Sequence, residues 1–198
     1  MPNTIVNGAA GPKYGAKVNA DSQLITRATA VPQRLHSSVD GNYFEATTGK
    51  ITLTDAAETP MIYLKNENTN SDIVLVIDRV FYDVWASTSG TGGGTLEYYK
   101  NPTITGGTDI TPVNSNHGTG DTVVGTFKKS MTTMIEGGGV HWWWAYVAAG
   151  SSNAVDEGRI VVPPGYAFAI SYQAPTSNTS QAISINVAFY ELDKTLIQ

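Results

Sequence analysis

The chain has no cysteine among its 198 residues, and only 15% of them carry a charged side chain, against about 25% in a typical soluble domain. The missing cysteine excludes disulfides, thiolate zinc sites and cysteine nucleophiles. A chain of this length buries roughly 70% of its unfolded surface, so a core can form without them. With so few charges, the polar surface must come from Thr, Ser, Asn, Gln and Gly, as in β-rich proteins that are exported or packed into assemblies.

Positive charge is also scarce. Seventeen acidic and twelve basic residues give a formal charge of −5, and the longest basic run is Lys128-Lys129. A phosphate backbone or an anionic membrane needs clustered lysine and arginine, so we expect neither nucleic acid nor membrane as a partner. No run approaches the roughly 18 apolar residues that span a bilayer, and the N-terminus lacks the apolar centre of a signal peptide. These absences predict synthesis in the cytoplasm.

The residues of common catalytic and metal sites are dispersed. The three histidines stand apart in the sequence: His36, His117 and His141. None forms an HxH or HExxH spacing, so we predict no metal and no cofactor. Two pairs of carboxylates lie in turn-like sequence, where such groups usually face water: Asp156 with Glu157, and Asp55 with Glu58. A glycosidase needs two carboxylates that the fold brings together, which a sequence alone does not display. The prediction is that the chain is not an enzyme.

The first part of the chain differs from the rest. Residues 1–21 are rich in Gly, Ala, Asn and Pro and place apolar residues too sparsely for a core-facing pattern. This composition predicts an extended arm, which we place at residues 1–30. Residues 31–198 contain no stretch typical of a linker, and we predict that they form one domain.

The first strong strand pattern runs over residues 73–86, after a turn in the segment KNENTNSD. Alternation assigns one face to Val74, Val76, Val80, Tyr82 and Val84, and the other to Ile73, Leu75, Ile77, Phe81 and Trp85. Because both faces are apolar, the strand should be central in its sheet. The glycine-rich turn after it predicts that residues 95–100 return as its antiparallel partner. Residues 101–120, with two prolines and four glycines, predict a long loop.

A spacing of four residues relates Val123, Phe127, Met131 and Ile135, which fits a helix face and a strand face equally well. Glycine and threonine between them favour strands, so we predict a hairpin over residues 123–148, with a helix in its first half as the alternative. Toward the C-terminus, alternation places Tyr166, Phe168, Ile170 and Tyr172 on one face of a strand. A second alternating face follows: Ile183, Ile185, Val187 and Phe189. Eight or more strands without a helical period predict an all-β fold, a single-domain jelly-roll β-sandwich.

Several segments resemble the closing strands of jelly-roll proteins in tailed-bacteriophage virions. They are DEGRIVVPPGYAFAISYQAP, AISINVAFYE, GNYFEATTGKITLT and IDRVFYDVW. Cupins and tumour-necrosis-factor-like domains share the Pro-Gly turn. Among phage proteins of this size, the chain is similar to capsid decoration (cement) proteins, which sit as trimers on the outer shell. The resemblance implies a homotrimer bound to the major capsid protein on the virion surface. Head fibres and tail tips share such domains, which leaves a receptor- or carbohydrate-binding module as the alternative.

The segment HWWWAY holds three of the four tryptophans and the candidate binding residues. In a regular strand Trp142, Trp144 and Tyr146 share one face, and Trp143 lies on the other. One interpretation is that one face enters the core while the other packs on a neighbouring subunit. The alternative is a platform on which a glycan stacks, with Ser151–Asn153 supplying polar groups.

Overall fold

The computed structural model describes residues 37–53, 57–85, 93–135, 141–148, 150–175 and 181–197. These residues belong to one compact unit, Gln33–Gln198. The predicted arm, residues 1–30, lies outside the described part of the chain.

The described residues are almost entirely β-structure, as predicted. The strands are β1 (Tyr43–Thr47), β2 (Ile51–Leu53), β3 (Glu58–Asn66), β4 (Ile73–Trp85), β5 (Gly93–Lys100), β6 (Thr103–Thr105), β7 (Thr108–Asp109), β8 (Val113–Asn114), β9 (Gly125–Lys129), β10 (Thr133–Ile135), β11 (His141–Ala148), β12 (Gly150–Val162), β13 (Ala167–Gln173) and β14 (Gln181–Asp193). A short 3-10 helix, Lys194–Ile197, follows the last strand.

Two antiparallel sheets form the body of the fold. Sheet I has the order β12-β4-β14-β1-β8, with β2 also paired to β14, and sheet II has the order β11-β5-β13-β3-β9-β7. The eight principal strands pair in a nested way: β1 with β14, β3 with β13, β4 with β12, and β5 with β11. Pairing first with last, second with seventh and so on inward is the jelly-roll arrangement. The predicted fold class is therefore confirmed.

The main core lies between the two sheets. Sheet I contributes aliphatic and aromatic side chains such as Phe44, Leu75 and Phe189, and sheet II contributes Leu64 and Ile170, all fully or almost fully buried. Phe189 stacks on Phe44 and on Phe127, with ring centroids 5.8 and 5.5 Å apart. Burial of this apolar surface supplies the main stabilisation of the sandwich.

The C-terminal strands follow the predicted alternation closely. Phe168, Ile170 and Tyr172 face the main core, whereas Ala167 and Ala169 belong to a second cluster on the opposite face of sheet II. Tyr166, predicted on the same face as Phe168, precedes β13 and is exposed, so the prediction is wrong at this residue. On β14 the four predicted core residues are all fully buried: Ile183, Ile185, Val187 and Phe189. The prolines before Gly165 end the ladder between β12 and β13, because proline has no N–H to donate.

The predicted turn KNENTNSD is built from successive side-chain hydrogen bonds. The side-chain oxygen of Asn66 accepts from the backbone N–H of Asn68, that of Asn68 from Asn70, and that of Asn70 from Asp72, each at 3.0 Å. Asparagine favours such turns because its short amide reaches the backbone two residues on. The buried Asn66 amide also donates to the carbonyls of Ile73 and Val162, which ties the turn to β12.

The predicted faces of β4 are wrong beyond the middle of the strand. Asp78 has no partner in the register, since Ala188 pairs with Arg79 and Phe189 with Ile77. This bulge inserts one residue, so the alternation changes phase there. Val80 and Val84 consequently face the main core together with Leu75 and Ile77, while Val74 and Val76 pack on the other side of sheet I.

Two predicted pairings and one predicted loop are also wrong. β5 does not return beside β4 but crosses to sheet II, where it lies between β11 and β13. The predicted hairpin over residues 123–148 contains the strands β9, β10 and β11, but β9 pairs with β3 and β11 with β5. The predicted loop at residues 101–120 contains β6, β7 and β8. In a sandwich the next strand along the chain often lies in the other sheet. The pattern of residue types does not show where the chain crosses between sheets.

Candidate functional site

The tryptophan segment forms β11, the end strand of sheet II. Its register with β5 shifts between His141 and Trp143, so a bulge interrupts the regular alternation at Trp142. Beyond it, Trp143 pairs with Tyr98 and Trp144 with Glu97. The side chains of Trp142, Trp143, Trp144 and Tyr146 lie outside those that the structure describes, so the two interpretations of the segment stay predictions. The register does show which described residues are their neighbours.

A polar cluster lies on the face of sheet II turned away from sheet I. On β5, Leu96 and Tyr98 point into the main core, so the alternating residues Glu97 and Tyr99 point outward. Ser171 of β13 pairs with Glu97, which places the two side by side. Glu58 comes from the start of β3, the next strand along. Three neighbouring strands thus bring together four polar side chains.

Hydrogen bonds connect the four residues. The Tyr99 hydroxyl donates to Glu58 Oε1 at 2.5 Å and lies 2.8 Å from Glu97 Oε2. Ser171, which is fully buried, donates to the same Oε1 of Glu58 at 2.5 Å. A tyrosine hydroxyl carries one proton and can donate it to one carboxylate at a time. The two carboxylates therefore share the Tyr99 hydroxyl, and Glu58 also receives the Ser171 hydroxyl.

Tyr99 stays protonated in this setting. Burial, followed by the hydrogen bonds to Glu58 and Glu97, raises the pKa of its phenol far above the usual range. The phenol is therefore a hydrogen-bond donor and not a nucleophile or a base.

A pocket of about 300 Å³, open to the surface, adjoins the cluster. One side of the pocket belongs to sheet II and is formed by Glu58, Pro60 and Tyr99. The other side is formed by residues 132–134, at the start of β10. β10 pairs with β6. Met134 of β10 and Ile104 of β6 pack against the apolar cluster on this face, which includes Tyr63 and Tyr99. The pocket offers carboxylate, phenol and threonine groups, which suit a ligand rich in hydroxyl groups.

Sheet I carries a second tyrosine–carboxylate cluster on its outward face. The Tyr43 hydroxyl donates to Asp78 Oδ2 at 2.8 Å, and Arg79 Nε donates to the same oxygen at 3.1 Å. Asp78 is the bulge residue of β4 and is only 7% exposed. Burial and the contact with Asp78 raise the pKa of Tyr43. Here the guanidinium of Arg79 balances the carboxylate.

Of the other residues singled out from the sequence, Glu58 belongs to the sheet II cluster. His117 is exposed, and the described side chains contain no group of three metal-ligating residues. His36 and Asp55 lie outside the described residues. Asp156 and Glu157 lie where the register of β12 with β4 shifts. In the described ranges, no helix has the length and apolar character that crossing a membrane requires.

Sequence reasoning missed Glu97, Tyr99 and Ser171. The available signal was the acid in the otherwise uncharged core-strand pattern of Thr95–Tyr99. It could not be used, because the predicted pairing placed β5 beside β4, away from β13.

Comparisons with known proteins add little to this description. No protein-family model matches the chain, and no curated protein matches it. One similar solved structure is the VP2 subviral particle of infectious bursal disease virus, at 13% identity and a TM-score of 0.11. The match covers 99% of this chain and 48% of that one, so the chain spans about half the length of VP2. A TM-score this low carries no argument about fold or function.

Proposed function

We propose that the chain is a non-enzymatic structural protein of a tailed-bacteriophage virion, which binds the outer capsid surface as a homotrimer and stabilises the shell. The observation that carries the proposal is the jelly-roll topology, an architecture common in viral capsid proteins. The four segments that resemble phage virion proteins supply β1, β2, β4, β12, β13 and β14. All but β13 lie in sheet I, and β8 is the one described strand of that sheet outside the resemblance.

The arm, residues 1–30, is the element that we propose to lie along the major capsid protein. Ordering a flexible segment costs on the order of 1 kcal/mol per residue in backbone entropy, so one arm alone binds weakly. Three arms on one trimer gain from effective concentration, since the first contact holds the other two close to their sites.

The test is sedimentation with empty shells that lack this protein. The full chain should co-sediment at a fixed stoichiometry, and a variant without residues 1–20 should stay at the top of the gradient while keeping its oligomeric mass. Unchanged binding of the truncated chain would refute the arm mechanism. If the full chain does not co-sediment, the capsid proposal itself fails.

A second candidate function is a carbohydrate- or receptor-binding module of a phage fibre. The observation that favours it is the cluster of Glu58, Glu97, Tyr99 and Ser171, with Glu97 paired in register to Trp144. Carboxylates that accept hydrogen bonds from sugar hydroxyls, next to an aromatic position on the adjacent strand, are the components of a glycan site. The pocket beside Glu58 gives such a ligand a place to enter.

Glycan binding is tested by calorimetry with polysaccharides of the host cell surface. Trp144→Ala and Glu58→Gln should each weaken binding by about 1–3 kcal/mol, the range for losing a hot-spot contact. Val113→Ala, on the opposite border of the sandwich, is the matched control and should bind like the parent. If Trp144→Ala dissociates the oligomer instead, the glycan interpretation of the tryptophans is wrong.

A further inference from the structure

The two lateral borders of the sandwich are built differently. At one border, sheet I ends in β8 and sheet II ends in β7, and each of these strands is two residues long. Pro112 lies between them in sequence, and Asp109 of β7 forms an ion pair with Lys128. Short end strands, proline and charged side chains are the devices by which proteins prevent further strands from adding to a sheet.

The opposite border lacks short end strands and proline, and its charged residues lie in the second half of β12: Asp156, Glu157 and Arg159. Sheet II ends there in β11, of eight residues, and sheet I ends in β12, of thirteen. β11 reads HWWWAYVA, without proline and without a charged residue. In the described part of the chain, β11 pairs with β5 alone and β12 with β4 alone. We call β11 and β12 together the open border.

Regular pairing limits which part of the open border can accept another strand. The bulge at Trp142 disturbs the start of β11, and the register shift between Val155 and Ile160 disturbs the second half of β12. Between these points residues 143–148 and 150–155 keep an unbroken register with their neighbours. They leave two adjoining stretches of backbone N–H and C=O groups directed away from the sheets.

We propose that a second copy of this chain docks on the open border and extends the sheets by backbone pairing. Residues 143–148 carry no charge, so pairing with another copy sets no like charges opposite one another there. The border also offers two different strands, and a closed ring such as a trimer needs a contact between two different surfaces. The inference goes beyond the proposed function, because a capsid protein and a fibre module would assemble through the same border.

Two alanines in β11 provide a matched pair of variants. Ala145 and Ala148 are three residues apart in a stretch without a register shift, so their N–H groups point to opposite edges of the strand. Proline removes an N–H, and only one of the two substitutions therefore affects the pairing with β5. We expect one of A145P and A148P to melt like the parent and to be monomeric by light scattering. The other should melt at a lower temperature.

Amide hydrogen exchange on the parent protein keeps the test valid if both variants unfold. Exchange at residues 143–148 and 150–155 should slow in a concentrated sample relative to a dilute one, and exchange in β7 and β8 should not change. The inference is overturned if the parent chain is monomeric at every concentration. It is also overturned if A145P and A148P both fold and both stay oligomeric. Shell binding does not enter either measurement and is tested separately. A monomeric parent would also remove the homotrimer from the proposed function, whereas an oligomeric parent with unchanged exchange at residues 143–148 and 150–155 overturns this inference alone.

Discussion

Each sheet of the sandwich carries a buried tyrosine hydroxyl against a carboxylate on its outward face, and the two clusters are balanced in opposite ways. In sheet I, one carboxylate, Asp78, receives hydrogen bonds from both the Tyr43 hydroxyl and the Arg79 guanidinium. In sheet II, one hydroxyl, Tyr99, lies within hydrogen-bond distance of both Glu58 and Glu97. The first cluster pairs its carboxylate with a guanidinium, whereas in the second two neutral hydroxyls, those of Tyr99 and Ser171, donate to Glu58.

This difference separates a structural cluster from a candidate site. A buried carboxylate that is fully paired fixes the bulge at Asp78 and gains nothing from a ligand. Glu58 of the second cluster is exposed, and a pocket opens beside it. A hydroxyl-rich ligand can reach this carboxylate. The same pair of residue types therefore stabilises the fold in one sheet and offers a binding surface in the other.

The largest effect is expected from removing the balanced carboxylate. Asp78→Ala should lower the free energy of unfolding by about 2–3 kcal/mol, because Tyr43 and Arg79 each lose a charged hydrogen-bond partner in a buried setting. Urea denaturation measures the loss. Asp109→Ala is the matched control: its ion pair with Lys128 is exposed, so the change should stay within about 0.5 kcal/mol. Equal losses in the two variants would contradict the structural role of Asp78.

Removing the two hydroxyls compares the clusters directly. Tyr43→Phe should cost about 1.5–2 kcal/mol, since Asp78 cannot reach water to replace the lost hydrogen bond. Tyr99→Phe should cost about 1 kcal/mol or less, because the exposed Glu58 can turn to water. Both values come from the same denaturation experiment. A larger loss for Tyr99→Phe would mean that the second cluster is structural too.

A third carboxylate extends the comparison with the smallest effect. Glu191 is partly buried, its Oε1 makes no hydrogen bond with a described residue, and burial raises its pKa above the ordinary 4.5. The folded state therefore keeps this proton to a higher pH than the unfolded chain does, and stability falls as pH rises through the raised pKa. Glu191→Gln should raise the melting temperature at pH 7 by about 2–4 °C, which is the shift that a stabilisation of about 1 kcal/mol causes in a chain of this length.

The gain from Glu191→Gln should vanish as the pH falls below 4.5, because Glu191 of the parent is then protonated in both states. Glu67→Gln is the control of opposite sign. Hydrogen bonds from Thr126 and Lys65 lower the pKa of Glu67, so the parent should be the more stable protein at neutral pH. Thermal melts of the three proteins across this pH range check both expectations. A gain from Glu191→Gln that is independent of pH would contradict the burial argument.

Strand existence and strand faces were predictable wherever alternation was uninterrupted. On β13 and β14 each predicted core residue from Phe168 to Phe189 is buried, because a period of two has one consistent solution when one face is covered. The jelly-roll fold class followed from the number of strands and from the turns between them. On β4 the same reasoning failed at Asp78, since a bulge changes the phase and leaves no mark in the pattern of residue types.

Strand partners, and with them the candidate site, were not predictable. The neighbours of β5 are β11 and β13, which lie more than 40 residues further along the chain. Hydrogen bonds between backbones carry no residue identity, so a sequence does not specify such long-range pairings. Glu58, Glu97 and Ser171 come together only through these pairings. The tryptophan segment could be recognised from the sequence because its residues are consecutive. Its position at the end of sheet II could not be predicted.

The nested pairing places the last strand of the domain in the middle of sheet I. β14 lies between β4 and β1 and also pairs with β2, so three strands made earlier have no complete sheet until residues 181–193 have been synthesised. Before that point the apolar side chains of β4 lack one of their two neighbouring strands. The domain therefore closes only after β14 has been synthesised. Folding is a late and slow event for this topology, and a truncation before β14 yields a chain prone to aggregation rather than a smaller domain.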